Sequence, residues 1–262
     1  VTPIVLDVKH GINLRDLGGY QTKAGQTLRT HRILRSGRLN ELSEADLNYL
    51  ADYGLRQVID FRSPQERADA PDRVPAGAVD IFNPVFPTDE TKVTAAAEEE
   101  RHTALARDPL AGFRSMVHTY ATMVVQPSAK RAYRQFFDAL LSAGDTGALL
   151  FHCSAGKDRT GMGAVYLLTA LGVDPLTIRQ DYLASNRYLV EEGQRLVDAV
   201  IAEGGSPALQ ASYRSLGSVA NEYLDSALFT INHEYGSLPN YLQTELMLSA
   251  AEQRDLRALY LE

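Results

Sequence analysis

Cys153 and Arg159 are the two residues on which a chemistry can be built. They open and close the run Cys153-Ser154-Ala155-Gly156-Lys157-Asp158-Arg159, with His152 before it and Thr160-Gly161 after it. A free thiol titrates near about 8.5 but is a thiolate at neutral pH when a helix N-terminus and cations surround it. Lys157 and Arg159 supply the cations, and the backbone amides of Ser154 through Arg159 supply further donors. The same groups would cradle a phosphate, the amides meeting its oxygens and the guanidinium taking two at once. A nucleophile beneath a bound phosphoryl group points to attack at phosphorus through a cysteinyl phosphate. Ser154 and Thr160 are placed to hydrogen-bond the sulfur and help it leave in the second step.

Such a loop needs a strand before it and a helix after it. Ala148-Leu149-Leu150-Phe151 is a short apolar run, the pattern of a buried strand. Residues 162–171 are small and apolar nearly all round and end at Gly172, the pattern of a buried helix with a glycine stop. The bland alternative for a lone Cys is a buried structural thiol, but that role needs no glycine-containing cationic loop. A nucleotide P-loop is disfavoured: Gly156-Lys157 is followed by Asp158 rather than Ser or Thr.

The stretch resembles the Cys-X5-Arg signature of protein tyrosine phosphatases. With Lys157-Asp158 inside the loop, it is similar to the bacterial tyrosine and phosphoinositide phosphatases of the atypical dual-specificity kind. Other pieces carry the same resemblance: Asn13-Leu14-Arg15-Asp16-Leu17-Gly18-Gly19-Tyr20, Leu34-Arg35-Ser36-Gly37, Ile59-Asp60-Phe61-Arg62-Ser63 with Glu66, Asp181-Tyr182-Leu183-Ala184-Ser185-Asn186, and Tyr241-Leu242. It implies an α/β cysteine-phosphatase fold, a central mostly parallel sheet flanked by helices, in one phosphatase domain over 1–262. It also places the 181–186 segment near the phosphate loop, in support of it.

Composition agrees with one large domain: 262 residues, 45% of them hydrophobic. A net charge of −7 argues against wholesale nucleic-acid binding, so positive potential must be local to the loop. One cysteine excludes an internal disulfide, a Cys-rich metal site and a resolving thiol. No apolar run approaches the roughly 18 residues of a spanning helix. The sequence starts at Val1 without Met, so a cytoplasmic location and export after removal of a leader both stay open.

Along the chain, Ile4-Val5-Leu6 reads as a strand, and residues 20–22 and 27–34 as hairpin arms. Arg15 and Asp16 read as an ion pair fixing the adjacent turn. Ser43 and Ser63 are N-caps, the second in a capping box with Glu66, and Gly54 is a stop. Residues 57–61 are a core strand and 79–82 another short strand. Residues 84–126 form a helical insertion or lid, with a charged helix around Glu98-Glu99-Glu100-Arg101. Its part from 110 to 125 has the spacing of an apolar helix that either packs in the core or covers a pocket. Residues 128–141 are an amphipathic helix, and Asp174 caps the next. Helices follow over about 191–202, 209–228 and 241–248, with a last one capped by Ser249 and Glu252.

The expected reaction is two-step hydrolysis of a phosphate monoester, with no metal and no cofactor. Arg159 and the loop amides would stabilise the equatorial oxygens, Lys157 would add charge at the rim, and His152 would orient the thiolate. The leaving oxygen needs a proton. The family's larger members use an Asp in a Trp-Pro-Asp loop, and this chain has no Trp. Asp158 is the first candidate acid and Asp60 the second. Asp60 ends a strand, where ligands gather, and reads equally as a carboxylate paired with Arg159 or Arg62. Asp89 and Asp108 are further candidates. The expected substrate is a phosphorylated protein or peptide, with a phosphoinositide as alternative. A non-catalytic phosphate-binding module and sulfur or arsenate chemistry are the readings outside this class.

Overall fold

A computed structural model describes residues 3–87 and 95–262. Strands β1 (Ile4–Val5), β2 (Arg15–Asp16), β3 (Ile33–Ser36), β4 (Leu55–Asp60), β5 (Val79–Phe82) and β6 (Ala148–His152) form one sheet in the order β1-β2-β3-β6-β4-β5. The β3-β6-β4-β5 part is parallel, and β1 and β2 extend it antiparallel. Alternation along β6 shows why the sheet needs cover on both faces. Leu149 and Phe151 belong to the larger apolar cluster, while Ala148 and Leu150 belong to the smaller one on the other face.

The smaller cluster is closed by α1 (Glu44–Asp52) through Leu50, together with Leu39 and Leu42. The larger one is closed by α4 (Ala111–Val125), α5 (Pro127–Ala143), α6 (Arg159–Leu171), α7 (Pro175–Tyr188), α10 (Asn221–Tyr235), α11 (Leu238–Thr244) and α12 (Ala250–Tyr260). The remaining helices are α2 (Pro64–Asp69), α3 (Ala95–Arg107), α8 (Val190–Ala202) and α9 (Pro207–Gly217). α3 packs through Leu105 on Val200 and Leu209. Helix α4 is docked on the sheet side: Met116, Tyr120, Met123 and Val124 lie in the main core, while residues 88–94 of the expected insertion lie outside the described residues.

The capping signals read from sequence start their helices. Ser43, Ser63 and Ser249 each form a full capping box, and the Asp174 side chain accepts from the Leu176 amide. Three expectations are corrected. The helix expected over 209–228 is two helices, α9 and α10, broken at Ser218, which is extended at φ −122° and ψ 175°. The helix expected from 241 starts at Leu238, because Pro239 sits in its first turn instead of ahead of it. The arm expected over 27–34 is divided: Thr27 bridges Gln21, Leu28 bridges Leu261, and only Ile33–Ser36 joins the sheet.

Candidate active site

β3, β4 and β6 end level with one another, pairing Ser36 and Asp60 with His152. The chain leaves β6 through Cys153, runs through the loop and enters α6 at Arg159. Every residue of α6 except Arg159 and Thr169 is buried, so the core fixes the helix and the helix fixes the end of the loop. The loop turns at Gly156, whose φ is +68°. A Cβ there would lie 2.3 Å from the Ser36 carbonyl oxygen and 2.5 Å from the Gly37 nitrogen, so the turn also needs a residue without a side chain. The Arg38 amide donates to the Ser154 carbonyl at 2.9 Å and braces the other side.

Buried charge holds the outer carbonyls of the loop. Asn13, at φ +51°, donates from its amide to the carbonyls of Gly156 (2.9 Å) and Ala155 (3.2 Å). Arg35 donates to the Gly156 carbonyl at 2.9 Å and to Asp181 at 2.5 Å. Arg15 donates to the other Asp181 oxygen at 3.0 Å, as does the Tyr20 hydroxyl. Burial works to raise the Asp181 pKa, but the two guanidiniums outweigh it and hold the carboxyl below its ordinary value. The expected Arg15–Asp16 pair is thus corrected. Adjacent strand residues face opposite ways, so Arg15 turns to α7 while Asp16 accepts from the Gly18 and His31 amides and the Tyr53 hydroxyl.

Arg159 is paired with a carboxylate at the end of the loop. Its Nη1 and Nη2 donate to the two oxygens of Glu66 at 2.6 and 2.7 Å, and the Ser154 hydroxyl donates to the same carboxylate at 2.5 Å. Burial works to raise the Glu66 pKa, yet these bonds, the Arg159 charge and the Ser63 amide bring it down to about 2. The pair uses one N–H on each terminal nitrogen of a group that has five donors, so three, Nε–H among them, have no partner among the described residues and can serve an oxyanion. Glu66 escaped sequence reasoning as a partner of Arg159. The signal was its capping-box position one turn beyond β4, which sets it at the sheet edge where the loop lies.

The remaining candidates fall as follows. The Ser154 hydroxyl goes to Glu66, which corrects its assignment to the sulfur, and the buried Thr160 hydroxyl finds no hydrogen-bond partner among the described residues. Lys157 is 4% exposed and its Nζ lies 2.7 and 2.9 Å from the two Asp158 oxygens, so it is not a rim charge. Its lysine stem is covered and its charge is spent within the loop. Asp158, whose side chain is 22% exposed, also accepts from the Tyr120 hydroxyl at 2.7 Å.

Asp60 is wholly buried. Its oxygens each take a guanidinium N–H of Arg62 at 2.9 Å, which is the pairing alternative foreseen for it. Arg62 also reaches Asp72 at 2.7 Å, and His152 Nε2 stands 3.0 Å from Asp72. His152 Nδ1 is 3.2 Å from the Cys153 carbonyl oxygen, so the ring steadies the backbone at the nucleophile. Asp60, Asp72 and His152 have ligand-type spacing, but Arg62 already supplies the positive charge between the two carboxylates. Asp108 is tied to Arg114 and to the Leu110 amide at the start of α4, and Asp89 lies outside the described residues. The 181–186 segment lies beside the loop through Asp181, Tyr182 and Ser185, while Asn186 at its end holds both backbone groups of Val219.

A buried thiol stands at the head of the strand-loop-helix turn, and a carboxylate-oriented arginine closes it. The family model described as the tyrosine phosphatase family matches residues 6–262. The chain belongs to the tyrosine phosphatase family. As a member it is a protein-tyrosine phosphatase, a hydrolase of phosphate monoesters whose substrates are phosphoproteins. A putative tyrosine-protein phosphatase of Cupriavidus necator is 34% identical over 244 residues, covering 92% of this chain and 84% of the relative. The triple specificity protein phosphatase PtpB of Mycobacterium tuberculosis is 33% identical over 257 residues, covering 88% and 90%. A tyrosine-protein phosphatase of Nostoc commune is 28% identical over 218 residues, covering 81% and 68%. No helix among the described residues is long and apolar enough to cross a membrane.

Proposed function

We propose that this phosphatase works through Cys153 as nucleophile, Arg159 and the amides of residues 154–159 as oxyanion holders, and Asp158 as proton donor. The observation that carries the reading is the Glu66–Arg159 pair, which fixes the guanidinium at the end of the loop with donors to spare. The Cys153 thiolate attacks phosphorus as the P–O bond to the leaving group breaks, and Asp158 gives its proton to that oxygen. Water then attacks the cysteinyl phosphate, its proton passes to the Asp158 carboxylate, and the S–P bond breaks to free phosphate and the thiolate. No step needs a metal or cofactor.

Asp158 is preferred to Asp60 because it is the partly exposed carboxylate of the loop, whereas Asp60 is enclosed with Arg62. Residues 1–262 act as one phosphatase domain, with 84–126 as an insertion beside the site. A broader specificity, reaching phosphoserine or phosphoinositide, is the second reading. It is supported by the triple-specificity name of the Mycobacterium tuberculosis relative and opposed by the inward turn of Lys157.

Steady-state phosphate release, with a chelator present, tests both. Turnover of a phosphotyrosine peptide lost in Cys153→Ser supports the mechanism, and comparable rates on phosphoserine peptide and short-chain phosphoinositide support the broader reading. Residual wild-type turnover in Cys153→Ser overturns the thiolate mechanism.

A further inference from the structure

Two tyrosines outside the loop meet the proposed acid in series. Tyr120 of α4 has its hydroxyl 2.7 Å from Asp158 Oδ1, and the Tyr182 hydroxyl of α7 is 2.9 Å from that of Tyr120. Both side chains are wholly buried, and their rings meet edge to face with centroids 6.1 Å apart. A carboxylate oxygen only accepts, so the single Tyr120 hydrogen points to Asp158 and the Tyr182 hydrogen points to Tyr120. Burial, with the Asp158 charge next, pushes both phenols far above their ordinary pKa, so both remain neutral donors wherever the enzyme works.

We propose that Tyr120 and Tyr182 form a hydroxyl relay that positions Asp158 for proton donation and sets its acidity. This rests on the reading of Asp158 as the acid. Oδ1 accepts from Tyr120 and Oδ2 lies 2.7 Å from Lys157 Nζ, so the carboxyl group is held at both oxygens and cannot rotate freely. Donation from Tyr182 polarises the Tyr120 hydroxyl and strengthens its bond to Asp158. The other charged and titratable groups facing this carboxylate are Lys157 in the loop, Arg159 of α6, Tyr133 of α5 and Tyr223 of α10. Of the tyrosines, Tyr120 alone donates to it directly. The relay places α4, in the insertion, in control of the acid, and makes α7 the backstop. Tyr120 and Tyr182 are positioning residues.

The test is the pH profile of kcat and KM for wild type, Tyr120→Phe and Tyr182→Phe, each with a phosphotyrosine peptide and with an aryl ester of an acidic phenol. A hydrogen bond to the ionised carboxylate favours that form, so its loss moves the basic limb of kcat to higher pH. Tyr120→Phe is expected to lower kcat about tenfold or more on the peptide and much less on the acidic phenol ester. Its KM should be near wild type, and Tyr182→Phe should act in the same direction but less. In an Asp158→Asn background, Tyr120→Phe should cost under about twofold, since its target is gone.

Equal losses on both esters with an unmoved basic limb, or an undiminished loss in the Asp158→Asn background, would overturn the relay while leaving the acid assignment standing. Wild-type kcat on the peptide in Asp158→Asn overturns the acid assignment and the relay together. Should Tyr120→Phe fold poorly, Tyr182→Phe decides by the same limb shift.

Discussion

Glu66 and Arg159, separated by 93 residues of sequence, are joined by two parallel hydrogen bonds of 2.6 and 2.7 Å. The geometry is the fork-to-fork match of guanidinium and carboxylate, which fixes direction as well as distance. One carboxylate therefore serves three ends at once: it closes the α2 capping box, receives Ser154 and aims Arg159.

Replacing Glu66 by Gln removes the charge and half of the fork. Substrate KM is expected to rise about tenfold, with a smaller fall in kcat. The stability effect has a defined pH window. Glu66 is depressed from 4.5 to about 2, so its contribution is complete above the unfolded value and is lost as pH falls through the folded one. Thermal melts should show wild type ahead of Glu66→Gln at neutral pH, with the gap narrowing below about pH 4.5 and closing near about pH 2. A gap that does not change with pH would contradict this.

Asp181 neutralises two guanidiniums that are entirely enclosed, Arg15 and Arg35. Asp181→Asn keeps the volume and leaves uncompensated positive charge in the core. The expected cost is about 3–5 kcal/mol, read as a lower urea midpoint with an unchanged slope. A loss under about 1 kcal/mol would show the pair to be dispensable to the fold.

Gly156→Ala asks an L residue to adopt a φ of +68° with its Cβ against the backbone of Ser36 and Gly37. The loop must move away from β3, so kcat should fall by about a hundredfold or more, a 1 Å misplacement being enough for that. Parallel kinetics and circular dichroism would separate this from unfolding, and wild-type kcat would show that the loop tolerates the shift.

Cys153 is the chain's one cysteine, so its oxidation product has no second thiol to trap it. Stoichiometric peroxide, without reductant, is expected to inactivate the enzyme, and bound phosphate analogue should slow the loss. Full activity after that treatment would count against a reactive thiolate.

What could be read in the sequence was what is contiguous. The loop from Cys153 to Arg159, the flanking strand and helix, and the serine caps each lie within one short window, and local signals specify them. What escaped depends on where distant segments land. Tyr120 had the apolar spacing of a core residue, and it is one; its hydroxyl meets Asp158 only because α4 packs beside the loop. Arg15 and Asp16 looked like partners because they are neighbours, and a strand sends neighbours to opposite faces. Lys157 looked exposed because lysines usually are, but its loop turns it onto the next residue.

The Asn13, Arg35 and Asp181 contacts have a consequence for how the enzyme is made. Synthesis delivers Cys153 and Arg159 long before Asp181, yet the loop carbonyls are held by one residue from near the start of the chain and one guanidinium that itself depends on Asp181. A nascent chain released from the ribosome as far as α6 would carry its nucleophile and remain inert. Catalytic competence should not appear before α7 has emerged and docked, so that every member of a ribosome-bound length series that exposes less than residue 185, the last α7 residue to reach Asn13, stays inactive.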